Sequence, residues 1–387
     1  MKPLLRAEQA VLGAVLLDPG QLTALSWLAP DHFCRPVHRA LFAAMCKLHA
    51  EGRPTPTDKG EVPLEWVTDT IAEASLNVRG LSASYAHTLI AGCPRPGHAP
   101  VYGRMVLEGA IHRTVTQHAV RLHQAARADS LQGEVDSALH QAEVLADVLA
   151  DLALRWGTEP RPVAPAQSRT AMAEPPPAAT EEALQDEQIL LSVLVNQPAA
   201  MDEVVRWLRP GDFAEPGDGQ LYRCLGALHH RGEPIDELTL LWEAQRRGLL
   251  TDGVLTDEQI GGICEGYGVG SAEFLGEQIM RFSLTRTAAT SADAIRALAE
   301  DEALAPGRLI SHALHALGSL DEVRARWQSA TAEPAATTIP ASADPPPPAR
   351  IDAALARSQP RRRTRPDPAT QTAHARPAGR APTRTHS

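Results

Sequence analysis

The stretch A-E-Q-A-V-L-G-A-V-L-L-D-P, from Ala7 to Pro19, returns 179 residues later as D-E-Q-I-L-L-S-V-L-V-N-Q-P, from Asp186 to Pro198. Glu8-Gln9, Leu12 and Pro19 are kept as Glu187-Gln188, Leu191 and Pro198. After one inserted residue Trp27-Leu28, Pro30, Phe33, Pro36 and Leu41 match Trp207-Leu208, Pro210, Phe213, Pro216 and Leu221. Leu48-His49, Gly52 and Pro54 then match Leu228-His229, Gly232 and Pro234. Fourteen of the 47 positions from Glu8 to Pro54 are identical, where unrelated segments of average composition share roughly three. Farther on, Gly103, Val106, Leu107, Ile111 and Arg113-Thr114 align with Gly276, Ile279, Met280, Leu284 and Arg286-Thr287. A period this long duplicates a whole domain, since solenoid units recur every ~20 to 50 residues. A unit reaching from Glu8 to Thr114 or beyond is long enough to bury a core of its own.

The opening stretch also fixes the kind of fold. Leu5, Leu12, Val15 and Leu16 share one helix face, and Leu184, Leu191, Leu194 and Val195 repeat it at the same offsets, which predicts an amphipathic opening helix in each unit. Aromatics make up 4% of the chain, and its abundant Ala and Leu favour helix over sheet. Pro19 and Pro198 can start a short second helix, and a loop follows in which Phe33 or Phe213 plugs the core. Helices are predicted over 37–50, 64–74 and 84–91, and in the second unit up to Gly232, over 238–247 and over 257–264. Long helices are predicted over 99–127 and 271–300, each followed by a Leu/Val-rich helix over 131–156 or 309–327. Each unit thus ends in an antiparallel pair that offers an association surface.

The reading is therefore all-α: two tandem small helical-bundle domains, 1–157 and 181–328, each followed by a helical hairpin. A Pro-rich linker over 158–180 joins them, with six prolines between Gly157 and Thr180, semi-extended rather than packed. The Pro/Arg-rich segment 329–387 has too little apolar surface to offset chain entropy and reads as a disordered tail. The residues expected to mark the core are Leu12, Trp27, Phe33, Leu41 and Leu48, with Leu191, Trp207, Phe213, Leu221 and Leu228.

Composition excludes several classes. Hydrophobic residues at 43% and charged residues at 22% are ordinary for soluble globular protein. Cys34, Cys46, Cys93, Cys224 and Cys264 are odd in number and form no C-x-x-C pair, which argues against a disulfide framework or zinc site and for reduced, buried thiols. The apolar run Val11 to Leu17 resembles a signal-peptide core, but its counterpart Leu190 to Val195 sits mid-chain, so the run belongs to the fold. No apolar stretch approaches the ~20 residues of a membrane span; a soluble, cytoplasmic protein with no membrane partner is expected. From Ala349 to Ser387 nine arginines face Asp352 and Asp367, or +7, which leaves −17 of the net −10 on the rest. The tail should attract polyanions and the remainder repel them.

The pattern from Ala7 to Pro19, followed by L-x-P-x-x-F-x-x-P-x-H-x-x-L-F ending at Phe42 and by H-A-E-G-R-P from His49 to Pro54, resembles the N-terminal domain of the bacterial replicative DNA helicase (DnaB-type). The second unit looks like a more divergent copy, with Asp218 in place of His38 and Tyr222 in place of Phe42. The segment from Thr55 to Gly80 departs from the family's pattern. The resemblance implies an all-helical globule followed by a helical hairpin, a unit that dimerises, builds a three-fold collar on the helicase hexamer and contributes to the surface that receives primase. It implies no catalytic residue in the domain itself.

The chemistry-bearing motifs point the same way. The three lysines precede Pro3, Leu48 and Gly60, so the G-K-[S/T] that a P-loop needs to cradle phosphates is missing from these 387 residues. The run Gly261 to Gly270 lacks a lysine and follows a helix, and reads as an inter-helix loop. His112, His118 and His123 lie along one helix without the convergent spacing of a metal site. There is no G-x-S-x-G, and Asp31-His32 beside Cys34 belongs to the fold pattern. No catalytic residue, metal or cofactor is expected. Arg361, Arg362, Arg363 and Arg365 could bind phosphate backbone without sequence preference, or simply solvate the tail. The leading reading is a non-enzymatic replication adaptor that docks on a replicative helicase, a primase or copies of itself, the tethered units forming an internal pseudo-dimer. The alternatives are a nucleic-acid-binding regulator acting through the tail, and a helicase-family remnant.

Overall fold

The Ala- and Leu-rich segments become helices throughout the residues that the computed structural model describes, 3–54, 64–165 and 179–331. Among these there are fourteen α-helices and no strand. In the first half α1 (Pro3–Leu17), α2 (Gln21–Ala24), α3 (Pro36–Ala50), α4 (Leu64–Ser75) and α5 (Ala83–Ala91) form a small bundle, and α6 (Ala99–Gln132) with α7 (Asp136–Trp156) a long hairpin. The second half repeats the order with α8 (Glu181–Asn196), α9 (Met201–Val204), α10 (Pro216–Arg231), α11 (Glu237–Arg246) and α12 (Asp257–Glu265), then the hairpin of α13 (Ala272–Glu300) and α14 (Pro306–Thr331). Residues 166–178 of the linker and 332–387 of the tail, with Arg361, Arg362, Arg363 and Arg365, lie outside the described residues. No described helix is long and apolar enough to cross a membrane.

The opening helix is central rather than amphipathic. Every residue from Ala10 to Leu16 and from Leu190 to Val195 is buried, because α1 is enclosed by α3, α5 and α6, and α8 by α10, α12 and α13. The leucine stripe marked one face; Ala10, Gly13 and Ala14 are buried on the others because small residues let neighbouring helices approach.

Both cores use the same parts. The Phe33 and Phe42 rings lie 4.8 Å apart at 36°, and Phe213 and Tyr222 repeat the pair at 5.1 Å and 34°, a tilted offset geometry favourable for aromatic quadrupoles. Leu12, Leu41, Leu48, Leu191, Trp207, Leu221 and Leu228 are buried with them. Trp66 sits under the first bundle and donates its indole N–H to the Val15 carbonyl at 3.2 Å, where the second bundle has the fully buried Leu240. Ser82 and Thr256 cap the matching helices α5 and α12, accepting from the Tyr85 and Gln259 N–H groups, as Ser and Thr do at helix starts.

Three sequence expectations need correction. Trp27 is 41% exposed against 7% for Trp207, although its indole rests on α6 at Gly103. That contact explains the aligned glycines, since a Cβ at Gly103 would lie 2.8 Å from Leu25 and 3.1 Å from Trp27, and one at Gly276 2.5 Å from Trp207. The seventh helix starts at Asp136 and not at Leu131, because Gly133 ends α6 in the left-handed region at φ 68°; Leu131 is an exposed residue of α6. Of the five thiols, all free, Cys224 is buried and Cys34 exposed.

Candidate functional site in the paired hairpins and the buried carboxylates

The hairpins of the two halves pack on each other, α6 against α13 and α7 against α14. The long helices run antiparallel: His112 of α6 meets Ala299, His123 meets Asp293, and Gly133 meets Arg281. Buried residues of α6 at Ile111, Val115, Ala119, Leu122 and Ala126 recur at helical spacing, as do Ala288, Ala292, Ile295 and Ala299 of α13. The alanines allow close approach, and the branched side chains supply the apolar area whose removal from water drives association, about 25 cal/mol per Å2. The expected association surface of each hairpin is covered by the other half of the same chain.

Polar groups fix the register. The two ring nitrogens of His112 lie 2.8 Å from the Ala299 carbonyl and 3.0 Å from that of Leu304. His123 Nδ1 lies 3.1 Å from Asp293 Oδ1, within ion-pair reach but not aligned as a hydrogen bond. Arg324 pairs with Glu143 across α14 and α7. The described start of the linker does not hang free: Val163 donates its N–H to the Ser311 carbonyl at 3.1 Å, and its carbonyl lies 2.8 Å from the His312 ring.

Away from the hairpins, each half buries one carboxylate at the residue that opened the repeat. Glu8 accepts the Cys34 N–H at 2.5 Å and holds His38 Nδ1 at 2.6 Å, and His38 Nε2 meets the Tyr85 hydroxyl at 2.7 Å. Burial alone would push the Glu8 carboxyl up, but the bonds from His38 and Cys34 and the charges of His38 and Arg113 outweigh it and hold it below its usual value. The chain of carboxylate, imidazole and hydroxyl has the order of a catalytic relay. Glu8 and His38 are nevertheless fully buried, so no substrate reaches the pair and its role is to close the core.

Glu187 keeps the backbone contacts, accepting the Ala214 and Glu215 N–H groups at 2.5 and 3.1 Å. Its imidazole partner is gone, since Asp218 stands where His38 does. Burial pushes Glu187 up to about 7 against the pull of those two N–H bonds, with Asp218 adding to the rise. Burial and the charge of Glu215 push Asp218 up to about 6.

A second divergence lies in the loops. His32 caps Ala29 through Nδ1 at 3.0 Å, and burial, then the nearby charge of Arg155, holds its imidazole below the usual value. Asp212, its counterpart, caps Arg209 and accepts from Ser283 at 3.0 Å and from Arg326 at 2.9 Å. Arg326 and Arg155 each precede the tryptophan that closes its hairpin; Arg155 pairs instead with Asp151 on its own helix. Arginines aligned in the repeat clamp both loops from the long helices, Arg113 on the His32 carbonyl at 2.6 Å and Arg286 on the Phe213 and Gly211 carbonyls at 2.8 Å. The sequence alignment flagged those two arginines as a repeated pair without a reason; the clamp is the reason. Gly261 and Gly262 belong to α12, and the inter-helix loop is confined to Gly266–Gly270. Among the described residues no three His, Cys, Asp or Glu side chains are placed to hold a metal ion.

Comparison with known proteins falls on the same two bundles. The DnaB-like helicase N terminal domain family matches residues 2–108 and 179–259. The replicative DNA helicase DnaB of Geobacillus stearothermophilus is 31% identical over 140 residues, 36% of this chain and 29% of that protein. The replicative DNA helicase DnaC of Bacillus subtilis is 32% identical over a stretch of the same size. The replicative DNA helicase DnaB of Mycobacterium leprae is 39% identical over 64 residues, 16% of this chain and 11% of that protein. The chain thus spans less than a third of the length of these relatives. No solved structure matches.

Proposed function

Since both halves match the DnaB-like helicase N-terminal domain family, we propose that this chain is a non-catalytic docking component of the replication machinery. Its partners would be a replicative helicase, a primase or further copies of itself. The observation that supports this most is the cross-half pairing of α6 with α13 and α7 with α14, which joins two collar-type domains within one chain. Tethering converts that contact into an intramolecular one at high effective concentration. Three such chains would carry six domains, the number that a collar on a hexamer requires. The buried Glu8–His38 pair and the lack of G-K-[S/T] in these residues fit a part that works by contact.

Light scattering of the full chain, alone and mixed with purified replicative helicase, tests the reading. The expected result is a three-chain assembly or a defined complex with the helicase, with no ATP turnover by the chain alone. A monomer that binds neither itself nor helicase nor primase, or a measurable ATPase rate, contradicts it.

A second reading assigns DNA contact to the tail, motivated by the +7 carried by residues 349–387 against −17 elsewhere. Deleting those residues should abolish a DNA affinity that falls steeply with salt, about 0.9 in log–log slope per phosphate neutralised. DNA affinity that survives the deletion refutes it.

A further inference from the structure

The second half contains a cavity of about 640 Å3 between α8, α10 and α12. Glu215, Asp218 and Glu258 line it, and no basic residue does. Two side chains facing it are more than nine-tenths buried and lack partners. Asp218 is 7% exposed and Ser192 6%, yet Asp218 Oδ2 and Ser192 Oγ make no hydrogen bond among the described residues. Buried polar atoms in native proteins are nearly always paired, and unpaired ones mark a place where a donor belongs. Burial first, and then the charge of Glu215, pushes the Asp218 carboxyl up to about 6.

The first half shows how this space arose. There α5 closes on α1 at Gly13, where a Cβ would lie 2.2 Å from the Leu89 carbonyl, and the His38–Tyr85 pair fills what remains. Ser192 replaces Gly13, Asp218 replaces His38, and Gln259 stands at the place of Tyr85. Gln259 is turned back to cap its own helix, accepting the Thr256 N–H at 2.9 Å. The donors are lost and the acceptors stay.

The rim is equally specific. Asn196 and Gln197 hold the loop by donating to the Gly266 and Gly268 carbonyls at 2.9 and 3.1 Å. That places Tyr267 at the mouth, 97% exposed. A carboxylate with a free oxygen, further acidic groups and one exposed aromatic ring suit a planar cation with several N–H donors. A guanidinium bonds carboxylates through its fork and stacks on aromatic faces, which an ammonium does less well.

We propose that this cavity is a binding site for a guanidinium group, with Asp218 as the anchor, Glu258 as a further acceptor and Tyr267 as the stacking face. The site lies away from the paired hairpins, so its test is separate from that of the docking role. The guanidinium could come from an arginine of a partner polypeptide or from a small guanidino compound. Calorimetry on the full chain distinguishes them, with the nine arginines of residues 349–387 changed to glutamine so that no tail guanidinium competes. The probes are the peptide acetyl-Gly-Arg-Gly-amide, its citrulline counterpart and free arginine amide.

The arginine peptide should bind at least ~10-fold more tightly than the neutral citrulline peptide, and Asp218→Asn should lower its affinity by at least ~10-fold. Tyr267→Ala, at an exposed position that cannot disturb the core, should lower it several-fold and guards against a folding defect in the first variant. Peptide affinity well above that of arginine amide assigns the site to a polypeptide, and equal affinity assigns it to a small molecule. Failure of both guanidinium probes to bind, equal binding of citrulline, or indifference to both substitutions overturns the site.

Discussion

Glu8 and Glu187 begin the same repeat, lie at the same point of the same central helix and accept N–H groups from the same loop, at Cys34 and Ala214. Glu8 also has His38 and is held below its usual value; Glu187 has Asp218 and is pushed up to about 7. The duplicated scaffold thus conserves the backbone contacts that shape the bundle, while the side-chain partner decides whether the buried charge is compensated. The loops teach the same lesson, because His32 leaves Arg155 at the surface whereas Asp212 draws Arg326 into a two-pronged ion pair.

The comparison breaks most sharply at the carboxylates. Glu8→Gln removes one partner of a fully buried pair and should cost about 3–5 kcal/mol in denaturant unfolding. Glu187→Gln removes a carboxylate that is poorly compensated, and should cost under about 1 kcal/mol at neutral pH or stabilise. Equal losses would mean that the two sites are equivalent after all. Arg326→Ala, which strands Asp212, should cost about 3 kcal/mol, while Arg155→Ala at an exposed pair stays within about 0.5 kcal/mol.

The glycines under the tryptophans give a smaller contrast. Overpacking a tight contact costs about 1–3 kcal/mol, and Gly276→Ala should lie at the upper end because Trp207 is buried and cannot retreat. Gly103→Ala should lie at the lower end, since the exposed Trp27 can swing outward.

Acidity sharpens the comparison further. Folding raises Glu187 from 4.5 to about 7 and Asp218 from 3.8 to about 6, so the folded chain holds these protons more firmly than the unfolded one. Their contribution is complete below the unfolded values and is lost as pH rises through about 6 to 7. Glu8, held below 4.5, contributes above that value and loses its contribution as pH falls, and His32, held below 6.5, also favours the higher pH. The thermal midpoint of Glu187→Gln with Asp218→Asn, compared with the unchanged chain, should therefore gain on going from about pH 5 to about pH 8. A constant difference would refute the raised values.

Much of this was legible in the sequence. The repeat, the helical class and the aromatic plugs follow from local spacing, because Phe33 and Phe213 pair with Phe42 and Tyr222, each nine residues on. What was not legible depends on partners far along the chain. The all-round burial of α1 comes from α6, Trp27 lacks the cover that Trp207 has, and Arg326 finds Asp212 across 114 residues. The signal for that last pair existed, since His32 and Asp212 align, but its meaning required the fold of α14. Nothing in the hairpin sequences distinguishes pairing within one chain from pairing between chains; contacts such as His112–Ala299 and His123–Asp293 do.

The central claim, that the two halves are joined through α6 and α13, is tested most directly by hydrogen exchange on the full chain. Ile295→Asp puts a charge among the buried residues between the Asp293 and Ala299 contact points. If the hairpins form one cooperative unit, this change in the second half strips protection from the amides of α6 around His112 to Ala126 in the first. Unchanged protection of α6, with loss confined to α13 and α14, would contradict the account.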